Sequence, residues 1–432
     1  NKIMLLIFSL FTKTKKNKKI VIFSEDSYNL SFLQSEISKK NINFFPIFLN
    51  IPRNKILKSL KLAILGKQFF FLQKNRNYQD LSFVSTIEIF LKKFSKKECD
   101  EIDLKGVNLQ SLFNEHFEEF IAQKMSGILS SKKIIKKIFN IHTPEFAISQ
   151  HALGFSHYLG KICSDHDIKS LLISHGTMSF SEKDTIANDE WQIHSRTIFN
   201  ANYSHIAIQS PMMKEFFQHQ KNIFSRPLIT GPLLYGNNQL FKTKNFNNYL
   251  YELKKNSVKI VVHAGTPKDD TGFRPWIYES NEEYVSNIND LISAIDNLRN
   301  VFLVIRFRPT STLNESSLKK LIRYSKNYRI HSEGSFEDFL SIADLMVSYS
   351  SSTIEEALYN KVPVLLYDSH KKYCHFDSFL SRVTKNPKPL CYCNERQELS
   401  NSIDKALTTS DWRFDNFRYD RDNDLTWLNN LI

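Results

Sequence analysis

Ser350, Ser351, Ser352 and Thr353 set four hydroxyls in a row directly before Ile354-Glu355-Glu356-Ala357. A helix that begins there offers an anion free N–H groups and a partial positive charge, and the hydroxyls add donors without adding charge. Such a turn suits a diphosphate. Glu355 and Glu356 fall in the first helical turn, where a carboxylate can cap the helix or accept hydrogen bonds from ribose hydroxyls; Glu356 is the one expected at a ribose. Arg306 and Arg308 alternate along Val301–Phe307 and its exit to Pro309, so they share one face. That pair fits phosphate recognition by two guanidinium groups, and fits equally a salt-bridged surface strand. In His263-Ala264-Gly265-Thr266, Gly265 lets a ligand approach the backbone closely and Thr266 adds a donor.

The candidates for proton transfer lie nearer the N-terminus. His175, in Ser174-His175-Gly176-Thr177, follows an apolar run. It can take a proton from an acceptor hydroxyl, hydrogen-bond a phosphate, or hold the tight turn that Gly176 permits. Glu25 and Asp26 adjoin at the end of another apolar run, where they fit a catalytic base or nucleophile and also an N-cap beside a surface acid. Glu182 and Asp184 are lesser candidates. Cys391 and Cys393 flank Tyr392, but two ligands do not make a metal site, so ordinary cysteines and no bound metal are expected.

The elements that must carry these residues alternate. Apolar runs of strand length are read at 20–23, 44–49, 146–149, 170–174, 204–208 and 228–230. A second series follows at 259–263, 301–307, 328–330, 345–347 and 362–367. Helical spacing lies between them, at 155–163, 212–219, 283–298, 318–325 and 336–342. Alternation of this kind builds parallel sheets with helices on both faces, and ligands bind outside the carboxyl ends of such strands. Every candidate above follows a strand or opens the next helix. The expected organisation is an N-terminal apolar and basic segment (1–17), a first Rossmann-like domain (18–235) with a helical insertion near 54–142, and a polar linker (236–256). A second Rossmann-like domain (257–405) and a helical tail (406–432) follow.

Bulk composition agrees. The 432 residues are 41% hydrophobic and 13% aromatic, enough for more than one core. The net charge of +13 suits an anionic partner. The lysines are scattered except for Lys13, Lys15, Lys16, Lys18 and Lys19, and no nucleic-acid recognition motif is present, so no nucleic-acid partner is expected. Five cysteines at irregular spacing argue against a disulfide framework and for a reducing cytoplasm. The apolar run that precedes the lysines is too short to span a bilayer. It fits a buried first element, and fits a peripheral contact with the anionic inner face of a membrane. Walker, Gly-x-Gly-x-x-Gly, Gly-x-Ser-x-Gly and His-Glu-x-x-His motifs are all missing. Common nucleotide hydrolases, nicotinamide dehydrogenases, serine hydrolases and zinc proteases are thereby disfavoured.

Together these motifs resemble the two-Rossmann GT-B glycosyltransferase architecture, in which two parallel sheets face each other across a cleft. Ser350–Ala357, continuing to Lys361-Val362-Pro363-Val364, resembles the donor-binding segment of that superfamily, which UDP-N-acetylglucosamine 2-epimerases share in related form. There the turn holds the diphosphate and a helix glutamate binds ribose. Thr230-Gly231-Pro232 resembles the turn that closes the first domain. Two transferase branches share further short motifs. Bacterial CMP-nonulosonate and Kdo transferases use a Ser-Ser motif, matched by Ser350-Ser351 or Ser351-Ser352, and a His-Pro motif, replaced here by Arg308-Pro309. CDP-glycerol glycerophosphotransferases carry His-Gly-Thr and Tyr-Ser-Ser, matched at 175–177 and 349–351.

The resemblance implies a metal-independent glycosyltransferase with no bound cofactor. Its donor would be a nucleotide-sugar, CMP-linked by preference, and its acceptor a surface glycan or glycolipid of capsule or lipopolysaccharide. A glycerophosphotransferase, a UDP-sugar 2-epimerase and an inactive glycan-binding scaffold are the alternatives. Gly265, Thr266, Arg306, Arg308, Pro309, Ser350–Ser352, Thr353 and Glu356 would hold the donor, and His175, Asp26 or Glu25 would act as base.

Overall fold

The computed structural model describes residues 19–24, 43–48, 144–150, 154–174, 185–199, 202–220, 223–235, 244–267, 276–310, 312–332, 336–373, 387–422, 424–429 and 431. It also describes 33, 36, 37, 70, 71, 103, 104, 107, 108, 136 and 139.

Strands β1 (Lys19–Ser24), β2 (Asn43–Phe48), β3 (Phe70–Phe71), β6 (Phe146–Ser149), β7 (Lys169–Ile173), β8 (His205–Ile208) and β9 (Arg226–Ile229) form one parallel sheet, ordered β3-β2-β1-β6-β7-β8-β9. The short β4 (Asp103–Leu104) and β5 (Val107–Asn108) pair antiparallel outside it. The second sheet contains β10 (Lys259–Gly265), β11 (Val301–Phe307), β12 (Tyr328–His331), β13 (Leu345–Ser348), β14 (Val364–Tyr367) and β15 (Leu390–Cys393). Its order is β12-β11-β10-β13-β14-β15, and every pairing is parallel. This is the 3-2-1-4-5-6 order of a doubly wound sheet, which reverses direction between β10 and β13 and opens a crevice there.

The helices are α1 (Gly154–Asp165), α2 (Thr185–Ile198), α3 (Pro211–Gln218), α4 (Lys244–Lys255), α5 (Asn281–Asp296), α6 (Glu315–Leu321), α7 (Phe336–Leu340), α8 (Thr353–Tyr359), α9 (Arg396–Thr408) and α10 (Thr426–Asn429). Local chemistry explains the best of them. Ser280 and Glu283 form a reciprocal capping box at the start of α5, and Tyr284, Ile288, Leu291, Ile292 and Ile295 then recur on its buried face. Ser210 caps α3 by accepting from Met213 N at 3.0 Å, with Pro211 at the first helical position. Central strands are apolar on both faces, as in Ile260–Val262 and Val301–Ile305, because helices cover both sides of the sheet. Asp344 pins the start of β13 to β10: its carboxylate accepts from Ile260 N at 2.8 Å, and its own N–H donates to Ile260 O at 2.8 Å.

The two halves share a core. Ile277, Tyr349 and Tyr373 of the second half pack with Trp191, Phe199, Tyr203 and Phe216 of the first. Across that contact Trp191 Nε1 donates to Tyr373 Oη at 2.6 Å, and Trp276 N donates to Glu190 Oε2 at 2.9 Å. The C-terminal residues return to the first sheet. Leu425, Trp427, Leu428 and Leu431 pack against Phe146, Ile148, Leu171, Ile173 and Ala207.

The elements depart from expectation in places. The stretch 236–256 contains the 12-residue helix α4, because Tyr249, Leu250 and Leu253 make an apolar stripe among the Asn and Lys residues that suggested a linker. The tail 406–432 is largely not helical among its described residues: α9 ends at Thr408, and only the short α10 follows. Within 54–142 the few described residues include the strands β3, β4 and β5. β15 and α2 were not expected at all. The N-terminal segment 1–17 lies outside the described residues. No helix among the described residues is long and apolar enough to cross a membrane.

Candidate functional site

β10 and β13 are parallel neighbours, with His263 opposite Val347. Ser348 Oγ donates to Ala264 O at 2.7 Å, which ties the exits of the two strands together. Gly265 and Thr266 therefore emerge beside Tyr349 and Ser350, at the point where the strand order reverses. A side chain at Gly265 would press on its neighbours. A Cβ there would lie 3.3 Å from His263 Cε1, 3.3 Å from Tyr284 Cε2 and 3.6 Å from Glu279 Oε2.

The hydroxyl turn leads into α8 as expected. Ser351 Oγ accepts from Thr353 N at 3.3 Å, and Ser351 O accepts from Ile354 N at 3.1 Å. Ser352 stands at the N-cap without a side-chain capping bond, and the buried Thr353 Oγ1 has no partner among the described residues. A buried hydroxyl without a partner requires an explanation, and a ligand oxygen is one.

The two glutamates of α8 divide their work. Glu355 is buried and accepts a hydrogen bond from Ser210 Oγ, the cap of α3 in the first half. Glu356 is half-buried. Burial first, and then the nearby Glu337, push its carboxyl up to about 8. Glu337, in α7, is itself pushed up to about 7 by burial, opposed by Arg421 and assisted by Asp338. A neutral carboxyl both donates and accepts, which suits a pair of ribose hydroxyls.

The two arginines also divide. Arg308 and Pro309 lie exposed just past β11, one strand from the reversal point, and Arg308 has no hydrogen-bond or ion-pair partner among the described residues. Arg306 is half-buried. Its Nη1 donates to Phe307 O and His331 O at 3.2 Å each, and its guanidinium lies 5.8 Å from the Phe339 ring centroid. Burial, then Arg308, lowers its pKa. Arg306 is a brace between β11 and β12. Apart from Phe307 O, these contacts come from a strand and a helix distant in sequence.

Sequence reasoning missed the polar layer behind the turn. Glu279 is buried, accepts from Asn287 Nδ2 at 2.7 Å, and is pushed up to about 8, chiefly by burial. His263 is buried and pushed down to about 4 by the same cause. Lys372 Nζ donates to Glu283 Oε2 at 2.6 Å and Tyr278 O at 3.0 Å, and lies 5.6 Å from the Tyr349 ring centroid. Tyr349 Oη donates to Trp276 O. For Ser210 a signal existed, since Ser before Pro marks a helix start; for Lys372 there was none.

His175, Asp26 and Glu25 lie outside the described residues. Cys391 and Cys393 are buried free thiols in the core of the second sheet, Cys391 pushed up to about 12 by burial. No cluster of three or more His, Cys, Asp or Glu suited to a metal occurs among the described residues.

The fold is GT-B-like. No protein-family model matches the sequence, and no curated protein matches it. Solved structures do match in fold. The UDP-GlcNAc 2-epimerase of Methanocaldococcus jannaschii, in complex with UDP-GlcNAc and UDP, has a TM-score of 0.53 at 13% identity, over 96% of this chain and 99% of that one. The UDP-GlcNAc 2-epimerase of Neisseria meningitidis, bound to UDP-GlcNAc, has a TM-score of 0.51 at 10% identity, over 96% and 99%. Both neighbours are 2-epimerases, not the CMP-sugar or CDP-glycerol transferases that the short motifs resemble. At these identities the likeness is one of fold.

Proposed function

We propose that this chain is a nucleotide-sugar enzyme of the UDP-sugar 2-epimerase kind, with the nucleotide seated at the carboxyl edge of the second sheet. The observation that carries the reading is the hydroxyl turn 350–353 set beside Gly265 at the strand-order reversal. The end-to-end fold likeness to 2-epimerases crystallised with UDP-GlcNAc supports it. Gly265 and Thr266 let the diphosphate approach the backbone, Ser350–Ser352 and Thr353 donate to it, Arg308 offsets its charge, and Glu356 meets the ribose. Inverting C2 removes its proton while the electron pair expels UDP from C1, and a proton returns to the opposite face of C2 as UDP adds back, so the sugar needs a proton acceptor and a proton donor on its two sides. His175, Asp26 and Glu25 follow β7 and β1 in the chain and are the residues proposed for that work.

The test is incubation of the purified protein with UDP-GlcNAc in D₂O, followed by proton NMR. Appearance of the C2 epimer with deuterium at C2 is expected; unchanged UDP-GlcNAc would refute epimerisation. A second reading, transfer from a nucleotide-sugar to a glycan or glycolipid acceptor, is favoured by the His175-Gly176-Thr177 and Tyr349-Ser350-Ser351 motifs. It requires nucleotide release only when acceptor is present. A thermal-shift series with UDP, CMP, CDP and GDP names the base, because a ligand that binds only the folded state raises its apparent stability. The lysines at 13–19 support peripheral membrane contact. Equal liposome flotation with and without residues 1–19 would exclude it.

A further inference from the structure

We propose that Ser210 is a positioning residue for the nucleotide seat: its hydroxyl binds Glu355 and so fixes α8, with the hydroxyl turn at its head, against the first half of the molecule. The proposal rests on the reading of residues 350–353 as that seat.

Ser210 Oγ makes two bonds of opposite sense. It accepts from Met213 N at 3.0 Å as the cap of α3, which leaves its single hydrogen for Glu355 Oε1. Both side chains are almost fully buried, Ser210 at 2% and Glu355 at 4% relative exposure. The carboxylate therefore stands in the first turn of α8 while reaching the N-terminus of α3. Both helix ends present partial positive charge, and each favours an acid between them. Removing one donor from a buried acid is costly, so the contact resists separation of the two halves.

The far side of the turn is held in the same way. Tyr349 donates to Trp276 O, and Trp276 N donates to Glu190 Oε2 of α2 at 2.9 Å. Residues 350–353 are thus bracketed by one anchor before them and one after, each leading to the first half. A ligand that fixes the turn favours the joined arrangement, and the joined arrangement favours the ligand by the same factor.

The test is a double-mutant cycle of Ser210→Ala and Glu355→Ala, read by UDP affinity in titration calorimetry and by hydrogen exchange of the 350–359 backbone without ligand. A hydrogen bond to a buried acid can bias the joined arrangement by about tenfold or more, so UDP binding should weaken by up to that factor in each single variant. The double variant should be no weaker than the worse single one, and Ser210→Thr, which keeps the hydroxyl, should stay near wild type. Exchange in 350–359 should rise in Ser210→Ala. Ser210→Ala with lowered stability but unchanged UDP affinity and unchanged exchange would make Ser210 a helix cap only and overturn the proposal. If wild type does not bind UDP, the nucleotide reading fails, and the exchange measurement still decides the latch. Glu355→Gln, which keeps the shape and removes the charge, serves in the same assays if Ser210→Ala does not fold.

Discussion

Replacing Gly231 by Ala tests how tightly the C-terminal residues are stapled to the first half. Gly231 follows β9 at φ +65°, and a Cβ there would lie 2.5 Å from Asp420 O. The left-handed conformation alone costs an L-residue roughly 1–2 kcal/mol. The clash adds to that, because Asp420 O is backbone and cannot swing aside. Moving it disturbs Arg421, whose Nη2 donates to Tyr235 O at 2.6 Å, a charged hydrogen bond worth about 1.5–3 kcal/mol. The expected total is about 2–5 kcal/mol. Urea unfolding gives the loss, and tryptic cleavage after Arg418 and Arg421 reports release of the segment. Gly231→Asn separates the two causes, since Asn tolerates the left-handed region but still carries the Cβ. A Gly231→Ala protein within about 0.5 kcal/mol of wild type, with unchanged cleavage, would refute the close approach.

Four further variants follow from the same physical arguments. Glu279 is raised from an ordinary value of 4.5 to about 8, mainly by burial, so its contribution is full below the lower value and is lost as pH rises through the higher one. Glu279→Gln should be increasingly stable relative to wild type from pH 5 to 8.5, by a few kcal/mol at ~1.4 kcal/mol per pH unit; parallel stability curves would contradict the burial argument. Arg306→Ala should lower the urea midpoint by removing the brace to His331 O, whereas Arg308→Ala should leave the midpoint unchanged and weaken UDP binding; the reverse pattern would exchange their roles. Trp427→Ala should cost about 3–5 kcal/mol through the cavity left in the first core, and a loss under about 1 kcal/mol in urea unfolding would show that α10 is dispensable.

What the sequence disclosed was local. Val301–Ile305 and Phe146–Ile148 are unbroken apolar runs, and the strands Val301–Phe307 and Phe146–Ser149 form around them. The turn at 350–353 was legible because strand, hydroxyls and helix lie within a few residues of one another. The bracing contact of Arg306 was illegible for the opposite reason. Alternation placed it with Arg308, but its partner His331 O is supplied by β12, and strand pairing is not written in a single stretch of chain. β15 was overlooked because Leu390–Cys393 is short and two of its four residues are cysteines. α4 was hidden by Asn and Lys around a three-residue stripe. Ser210 and Glu355 are 145 residues apart, and no local pattern joins them.

The return of Leu425, Trp427, Leu428 and Leu431 to the first core has a consequence for how the chain is made. The first sheet leaves the ribosome early, yet part of its covering follows the entire second sheet. At roughly 5–20 residues per second, on the order of ten seconds or more pass between Ile229 and Leu425. Throughout that interval Phe146, Ile148, Leu171 and Ile173 stay partly uncovered, an apolar face that a nascent-chain chaperone can hold and an aggregate can capture. Completion of the first half is a late event of synthesis, so slowing translation across the second half should lower soluble yield more than slowing it across the first.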